Sequence, residues 1–192
     1  AFGIEHRHIH AVRKPVRPRI GELNSRVVLT RAGGLRPLLS QLDEIGAPTG
    51  RMLESAGLSA ELVDDPNTLI PLHQVHQFVE VAAATQGLDD LGARLACRVS
   101  AFDLEFLGAA LRRAVTVYDY LQTGIQLIGQ VTRSERFWLT LEQGHVRFHH
   151  ESPGRACLGR QHEDVFCMAV TVRMLRQFLG SEWHPVHVDL LA

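Results

Sequence analysis

Eleven histidines in a chain of 192 residues raise metal chemistry first. In "PLHQVHQFVEVAAATQG", His73, His76 and Glu80 share one face of a helix-like segment. Zinc draws nitrogen and oxygen ligands to about 2.0–2.2 Å, so a site there needs a further ligand from another part of the chain. The same face lies opposite Val75 and Val79, where solvated residues belong, and the three are read as surface groups. His6, His8 and His10 alternate on a segment too flexible to hold coordination geometry. His184 and His187 flank Pro185 without a zinc-like spacing. No metal ligand is therefore assigned.

Catalytic patterns are missing as well. The sequence contains no GxSxG elbow, HExxH pair, phosphate-binding glycine loop or CxxC pair. "GLDDLGARLA" has glycines, but without a preceding strand and without GxGxxG spacing. Asp64-Asp65 and Asp89-Asp90 are sequence neighbours, which do not face each other on a helix; capping and turn formation explain them better than acid–base work. Cys97, Cys157 and Cys167 are odd in number, so a disulfide framework is not expected, and Cys97 and Cys167 read as buried small hydrophobes. The expectation is a chain that is not an enzyme and that needs no cofactor.

Composition places it among ordinary globular proteins: 45% hydrophobic residues and a formal net charge of -1, with a mean hydropathy of -0.01. No apolar run approaches the roughly 18 residues that span a bilayer, and the charged, proline-broken start does not read as a secretory signal. A cytoplasmic protein without membrane contact is expected. Residues 1–26 form a basic extension, with Arg7, Arg13, Lys14, Arg17 and Arg19 against Glu5 over residues 1–20, and are expected to be disordered. No pair of short helices carries the exposed basic face of a helix-turn-helix, so specific DNA binding by this chain alone is not expected.

The elements that must position these residues follow from periodicity. Leu35, Leu38, Leu39, Leu42 and Ile45 mark an amphipathic helix stopped by Gly46, and a short helix ending near Gly57 follows. "SAELVDDPNTLIP" reads as a turn of helix and a loop held by two prolines. Pro71 opens and Gly87 closes the next helix, with Val75, Phe78, Val79, Ala82 and Ala83 inward. "DLGARLACRV" and "FDLEFLGAALRRAV" are helical, and Thr116 with Asp119 begins another helix as a weak capping box. At Arg136 the period becomes two: "RFWLTLE" and "HVRFHH" form a hairpin around Gln143-Gly144. "QHEDVFCMAVTVRMLRQFLG" is a long helix apolar on two stripes, and Val186, Val188 and Leu190 mark a closing strand. The predicted fold is α+β: a helical N-terminal half, then a β-β-α-β unit whose small sheet packs on a long buried helix, all in one domain over residues 27–192. Trp138 falls on the strand face opposite Phe137 and Leu139, where another element, a partner or a ligand must cover it.

The order "LLSQLDEIG … MLESAGL … LVDDPNTLIPLHQVHQFVEVAAATQGLDDLGARLA … DLEFLGAALRRAVTVYDYLQTG … FWLTLEQGHVRFHH … FLGSEWHPVHV" resembles the N-terminal effector domain of AraC-type transcriptional regulators, in the branch with a helical start. The likeness spans about residues 27–192. Glu105 departs from the glycine common after the leucine of "DLxxLG". In such regulators further segments and a pair of helix-turn-helix motifs follow, so the resemblance implies that this chain is truncated before them. It also implies a sensor for a small organic effector that forms homo-oligomers, or heterodimers with a full-length relative. Candidate ligand contacts are Phe102, Phe106, Tyr118, Phe137 and Phe148, with Arg147 available for a carboxylate; plain core is the competing reading of each aromatic, and the stronger one. A second reading is a stand-alone protein-interaction module that uses an uncovered sheet edge and Trp138.

Overall fold

The computed structural model describes residues 27–99, 109–131, 135–142, 144–152 and 157–190. The basic extension and most of the expected helix through Phe102 and Phe106 lie outside the described residues. In chain order the elements are β1 (Leu29–Arg31), a 3-10 turn (Ala32–Leu35), α1 (Arg36–Glu44), α2 (Thr49–Ser55), α3 (Ala60–Asp64), β2 (Leu69–Pro71), α4 (Leu72–Gln86), α5 (Leu91–Arg98), α6 (Val117–Val131), β3 (Arg136–Glu142), β4 (His145–Glu151) and α7 (Arg160–Leu179). Helices dominate the start and a β-hairpin precedes the longest helix, so the α+β class holds.

Local chemistry explains most boundaries. Gly87 takes φ 65° and ends α4, returning its N–H to the Ala83 and Ala84 carbonyls. At the start of α6 the Asp119 N–H donates to Thr116 Oγ1 at 3.0 Å, while the Thr116 hydroxyl donates to Asp119 Oδ2 at 2.7 Å. Gly144 turns the β3–β4 hairpin at φ 80°, and the strands pair antiparallel with Trp138 opposite His149 and Leu139 opposite Phe148. The Asp65 of the adjacent-aspartate pair accepts the Asn67 N–H at 2.9 Å, a turn role.

Two apolar clusters form the core. The first gathers Leu35, Leu38, Leu42, Met52, Leu53, Phe78, Ala82 and Leu91 from α1, α2, α4, α5 and their flanks. The second joins Leu111, Tyr120, Leu121, Leu139 and Leu175, with Phe148, Met174 and Phe178 packed against it. Helix α7 belongs to both, through Phe166 and Leu175. Its approach to α5 depends on Gly92, where an added Cβ would land on the His162 carbonyl oxygen. Arg173 then donates to carbonyls at the end of α5, Ala96 O and, at 3.1 Å, Val99 O.

Several expectations are corrected. Residues 69–71, read as loop, pair with 29–31 as a second two-stranded antiparallel sheet; its register, Leu29 opposite Pro71, is set by tertiary pairing that no periodicity announces. The closing strand of the β-β-α-β unit does not form: 186–190 run without ladder partners among the described residues, and Val186 is 90% exposed. Alternation supplies a pattern, whereas a strand also requires a neighbour to take its hydrogen bonds. Ile45 lies beyond the last turn of α1 and is exposed. Cys97 is exposed and Cys167 half-buried, since the α5 face that carries Cys97 is turned from the core formed by Leu91, Leu95 and Ala96. Most of α7 is half-buried along its length, with only His162 and Leu175 fully enclosed.

Candidate functional site

The helix periodicity of α4 marks Val75 and Val79 as core, yet both are half-buried because they wall a cavity rather than fill a seam. This cavity has a volume of about 170 Å³ and lies where α4, the 3-10 turn, α1 and α7 converge. Leu35, Leu38, Leu72 and Leu95 complete its apolar wall, and Phe166 of α7 closes one side. The polar lining comes from α4 and α7, through His76, His162, Glu163 and Cys167, from Glu135 before β3, and from Thr30 and Arg31 of β1. An apolar enclosure with a few convergent polar groups is the usual form of a small-ligand site. An apolar cavity of about 150 Å³ accepts benzene, so this one suits a compound of roughly six to ten non-hydrogen atoms.

The polar wall is organised around Glu163. His76 Nε2 stands 2.7 Å from Glu163 Oε2, and the Ser152 hydroxyl donates to the same oxygen at 2.8 Å. Burial acts to raise the Glu163 carboxyl. The His76 hydrogen bond and charge, the Ser152 hydroxyl and the charge of His150 outweigh it and hold the group below the ordinary carboxylate range. An ionised carboxylate only accepts, so His76 Nε2 carries a proton. The other ring nitrogen, Nδ1, stands 3.1 Å from Cys157 Sγ and so extends the chain of contacts to the thiol.

Cys157, His76 and Glu163 therefore have the connectivity of a nucleophile relay, but not its electronics. Burial, with the Glu163 charge, pushes the Cys157 thiol up against the opposing pull of Arg160. A thiol that keeps its proton is a poor nucleophile. The array is a chain of polar contacts that fixes the cavity wall.

His76 was expected at the surface; it is 4% exposed. Helix α7 covers the α4 face that the periodicity assigns to solvent, and Gly159, at φ 85°, lets the start of α7 press against the His76 carbonyl where no Cβ fits. His73 stays exposed. Glu80 faces His162 instead, Oε2 to Nε2 at 3.7 Å, too long for a hydrogen bond, and that oxygen has no hydrogen-bond partner among the described residues. The three residues of the sequence cluster thus point to three different surroundings.

The sequence-selected contacts sit elsewhere. Phe137 and Phe148 pack across the β3–β4 hairpin with ring centroids 5.8 Å apart, Tyr118 is exposed, and Arg147 pairs with Glu142 at 3.3 Å on an exposed part of the hairpin. Phe102 and Phe106 lie outside the described residues. None of the described four lines the cavity. Trp138 is half-buried and is covered on one face by His149, stacked at 4.9 Å with planes 4° apart. Of the residues that line the cavity, His76, His162 and Glu163 come from helices far apart in sequence and sit in the polar stretches HQVHQ and RQHED, which give no sequence signal of burial.

Among the described residues no helix is long and apolar enough to cross a membrane. The family model for the N-terminal arabinose-binding domain of AraC transcription regulators matches residues 46–191. No curated protein matches the chain.

Proposed function

The chain belongs to the family of N-terminal arabinose-binding domains of AraC transcription regulators, and from that premise we propose that it senses a small organic effector in the cavity between α4 and α7. The observation that carries the reading is a partly open cavity of about 170 Å³ with largely apolar walls and a cluster of polar groups from α4, α7 and Glu135. That cluster is rich in acceptors. Glu163 is ionised, and Glu135 adds a second carboxyl group. Acceptors of this kind recognise a ligand that brings donors, so the effector is a small compound bearing hydroxyl or amine groups, with Arg31 on the β1 side of the cavity available to an anionic group.

Sensing operates as a population shift. The effector binds one arrangement of α4 against α7 better than another, and the preferred arrangement is passed to an attached or partnered regulator. Residues 27–192 constitute the sensing and dimerisation domain of a cytoplasmic regulator, acting as a homo-oligomer or beside a full-length relative. It has no catalytic role, and this chain alone does not read a specific operator. Mobility shifts with the isolated chain test the last point, where salt-resistant, sequence-specific binding would contradict it.

Thermal unfolding against a panel of sugars, polyols, small amines and small carboxylates tests the sensor reading, using the chain and a Val79→Phe variant that fills the cavity. A ligand at about a hundred times its Kd stabilises by about 2.7 kcal/mol. The expected result is stabilisation by a hydroxyl or amine compound that disappears in a folded Val79→Phe. Stabilisation that survives the variant places the ligand elsewhere. A response to none of the panel, with stability that instead rises with protein concentration, favours an interaction module.

A further inference from the structure

We propose that Glu135, His150 and Cys167 form a binding site for one zinc-class divalent cation beside the cavity. The three come from the segment before β3, from β4 and from α7, so no sequence spacing could announce them. Glu135 Oε2 stands 3.1 Å from His150 Nε2 and 3.6 Å from Cys167 Sγ. All three ligand atoms lie within 4.8 Å of one another. A tetrahedral zinc shell, with bonds of about 2.3 Å to sulfur and about 2.1 Å to nitrogen and oxygen, puts the oxygen about 3.4 Å from nitrogen and about 3.6 Å from sulfur. The two edges at Glu135 are therefore already close to those of a coordination polyhedron, and the nitrogen–sulfur edge lies within 4.8 Å.

The surroundings support the same ion. His150 Nδ1 faces Asp164 Oδ1 at 3.8 Å, and a carboxylate behind the ring is the usual support of a metal-bound imidazole. Phe137 stacks on the ring at 4.7 Å and fixes its plane. The site is largely screened from water, with His150 and Glu135 side chains 13% and 14% exposed. The carboxyl groups of Glu135, Glu163 and Asp164 surround the Cys167 thiol. Negative charge is thus concentrated around a soft ligand, and a divalent cation reverses that balance. On binding, the Cys167 S–H bond breaks, a sulfur–metal bond forms and one proton leaves to solvent. His150 offers the Nε2 lone pair and keeps its proton on Nδ1, toward Asp164.

One thiolate, one imidazole and one carboxylate select zinc over magnesium or calcium, which prefer all-oxygen shells. Three protein ligands leave a fourth position for water or an added oxygen donor. Glu135 and Cys167 both line the cavity, so the ion would stand in its wall. The proposal does not rest on the effector reading, because metal loading is measured on the chain with no organic compound present.

The untagged chain is to be titrated with zinc against a chromophoric chelator, and with cobalt while the thiolate-to-cobalt charge-transfer band is recorded. The expected result is one equivalent bound, a charge-transfer band, and no competition from magnesium. Cys167→Ser should abolish the band and weaken zinc by more than about 100-fold, and Asp164→Asn should weaken it about 10-fold or more. Cys97→Ser and Cys157→Ser should bind as the parent does. Should Cys167→Ser fail to fold, His150→Gln reads the same site through zinc affinity. Absence of stoichiometric binding, or a band that persists in Cys167→Ser or is lost in Cys157→Ser, overturns the assignment.

Discussion

His76 Nε2 on α4 meets Glu163 Oε2 on α7 at 2.7 Å, with the side chains 5% and 17% exposed. This pair ties together two helices whose separation defines the cavity. It also explains why a histidine can face inward on an otherwise apolar helix, since a buried polar group is tolerated when its partner is in place.

Replacing Glu163 by Gln should destabilise the chain by about 2–4 kcal/mol, toward the lower part of the range for breaking a buried pair, because Glu163 retains some contact with water. The pH dependence has a definite sign. The folded-state pKa of Glu163 lies below its ordinary value of 4.5, so its contribution is complete above the unfolded value and is lost as the pH falls through the folded one. Urea unfolding from about pH 7 down to about pH 3 should show stability falling on the acid side, with a shallower slope in Glu163→Gln. An unchanged acid slope would remove Glu163 from the account.

Glycine positions should separate two kinds of cost. Gly159 combines φ 85° with a position where a Cβ would strike the His76 carbonyl, whereas Gly87 has φ 65° and no atom within 4 Å. Gly87→Ala should cost about 1–2 kcal/mol of left-handed strain. Gly159→Ala should cost about 1–3 kcal/mol more, because α7 must also back away from α4. Equal losses in chemical denaturation would mean that the close approach carries no weight.

The legibility of this molecule in its sequence divides along physical lines. Helices α1, α4 and α6 and the β3–β4 hairpin were readable because Leu38 and Leu42, Phe78 and Ala82, or Phe137 and Leu139 repeat at the period of their own element. The Thr116 and Gly87 caps were readable because capping is local. Strands β1 and β2 were not, since three residues carry no period and their pairing joins segments about forty residues apart. The cavity was illegible for the same reason. His76 looked solvated until α7 covered it, and Glu135, His150 and Cys167 meet only through the tertiary fold. Val186 and Val188 show the converse, a strand pattern without a strand.

Tyr120 links α6 to α7 through a hydroxyl that donates to Met174 O at 3.1 Å. Burial pushes its pKa up to about 12. The neutral phenol is therefore the form the fold favours: its contribution is full below the unfolded value of about 10 and fades as pH rises toward the folded one. In a Tyr118→Phe background, Tyr120 is the only phenol of the two in the sequence. Its ultraviolet phenolate signal should then emerge near pH 12, together with loss of structure. A titration midpoint near the ordinary phenol value in the folded chain would contradict its burial.

The two core clusters share α7, and this bears on cooperativity. Phe78 is fully enclosed in the first cluster and Leu175 nearly so in the second. Truncation to Ala should cost about 3–5 kcal/mol at Phe78 and about 2–5 kcal/mol at Leu175. If the clusters melted independently, each variant would lower one of two calorimetric transitions and spare the other. But α7 packs Phe166 on the first cluster and Leu175 in the second within one continuous helix, and α5 is held to it at Gly92 and Arg173. Unravelling either half of α7 exposes apolar surface in both clusters, which makes a half-folded state unfavourable. Both variants should therefore move one common transition, with calorimetric and van't Hoff enthalpies in agreement. A split endotherm in Leu175→Ala would show the hairpin, α6 and the end of α7 unfolding apart from the cavity, and would sever the route by which a bound effector could act on the rest of the chain.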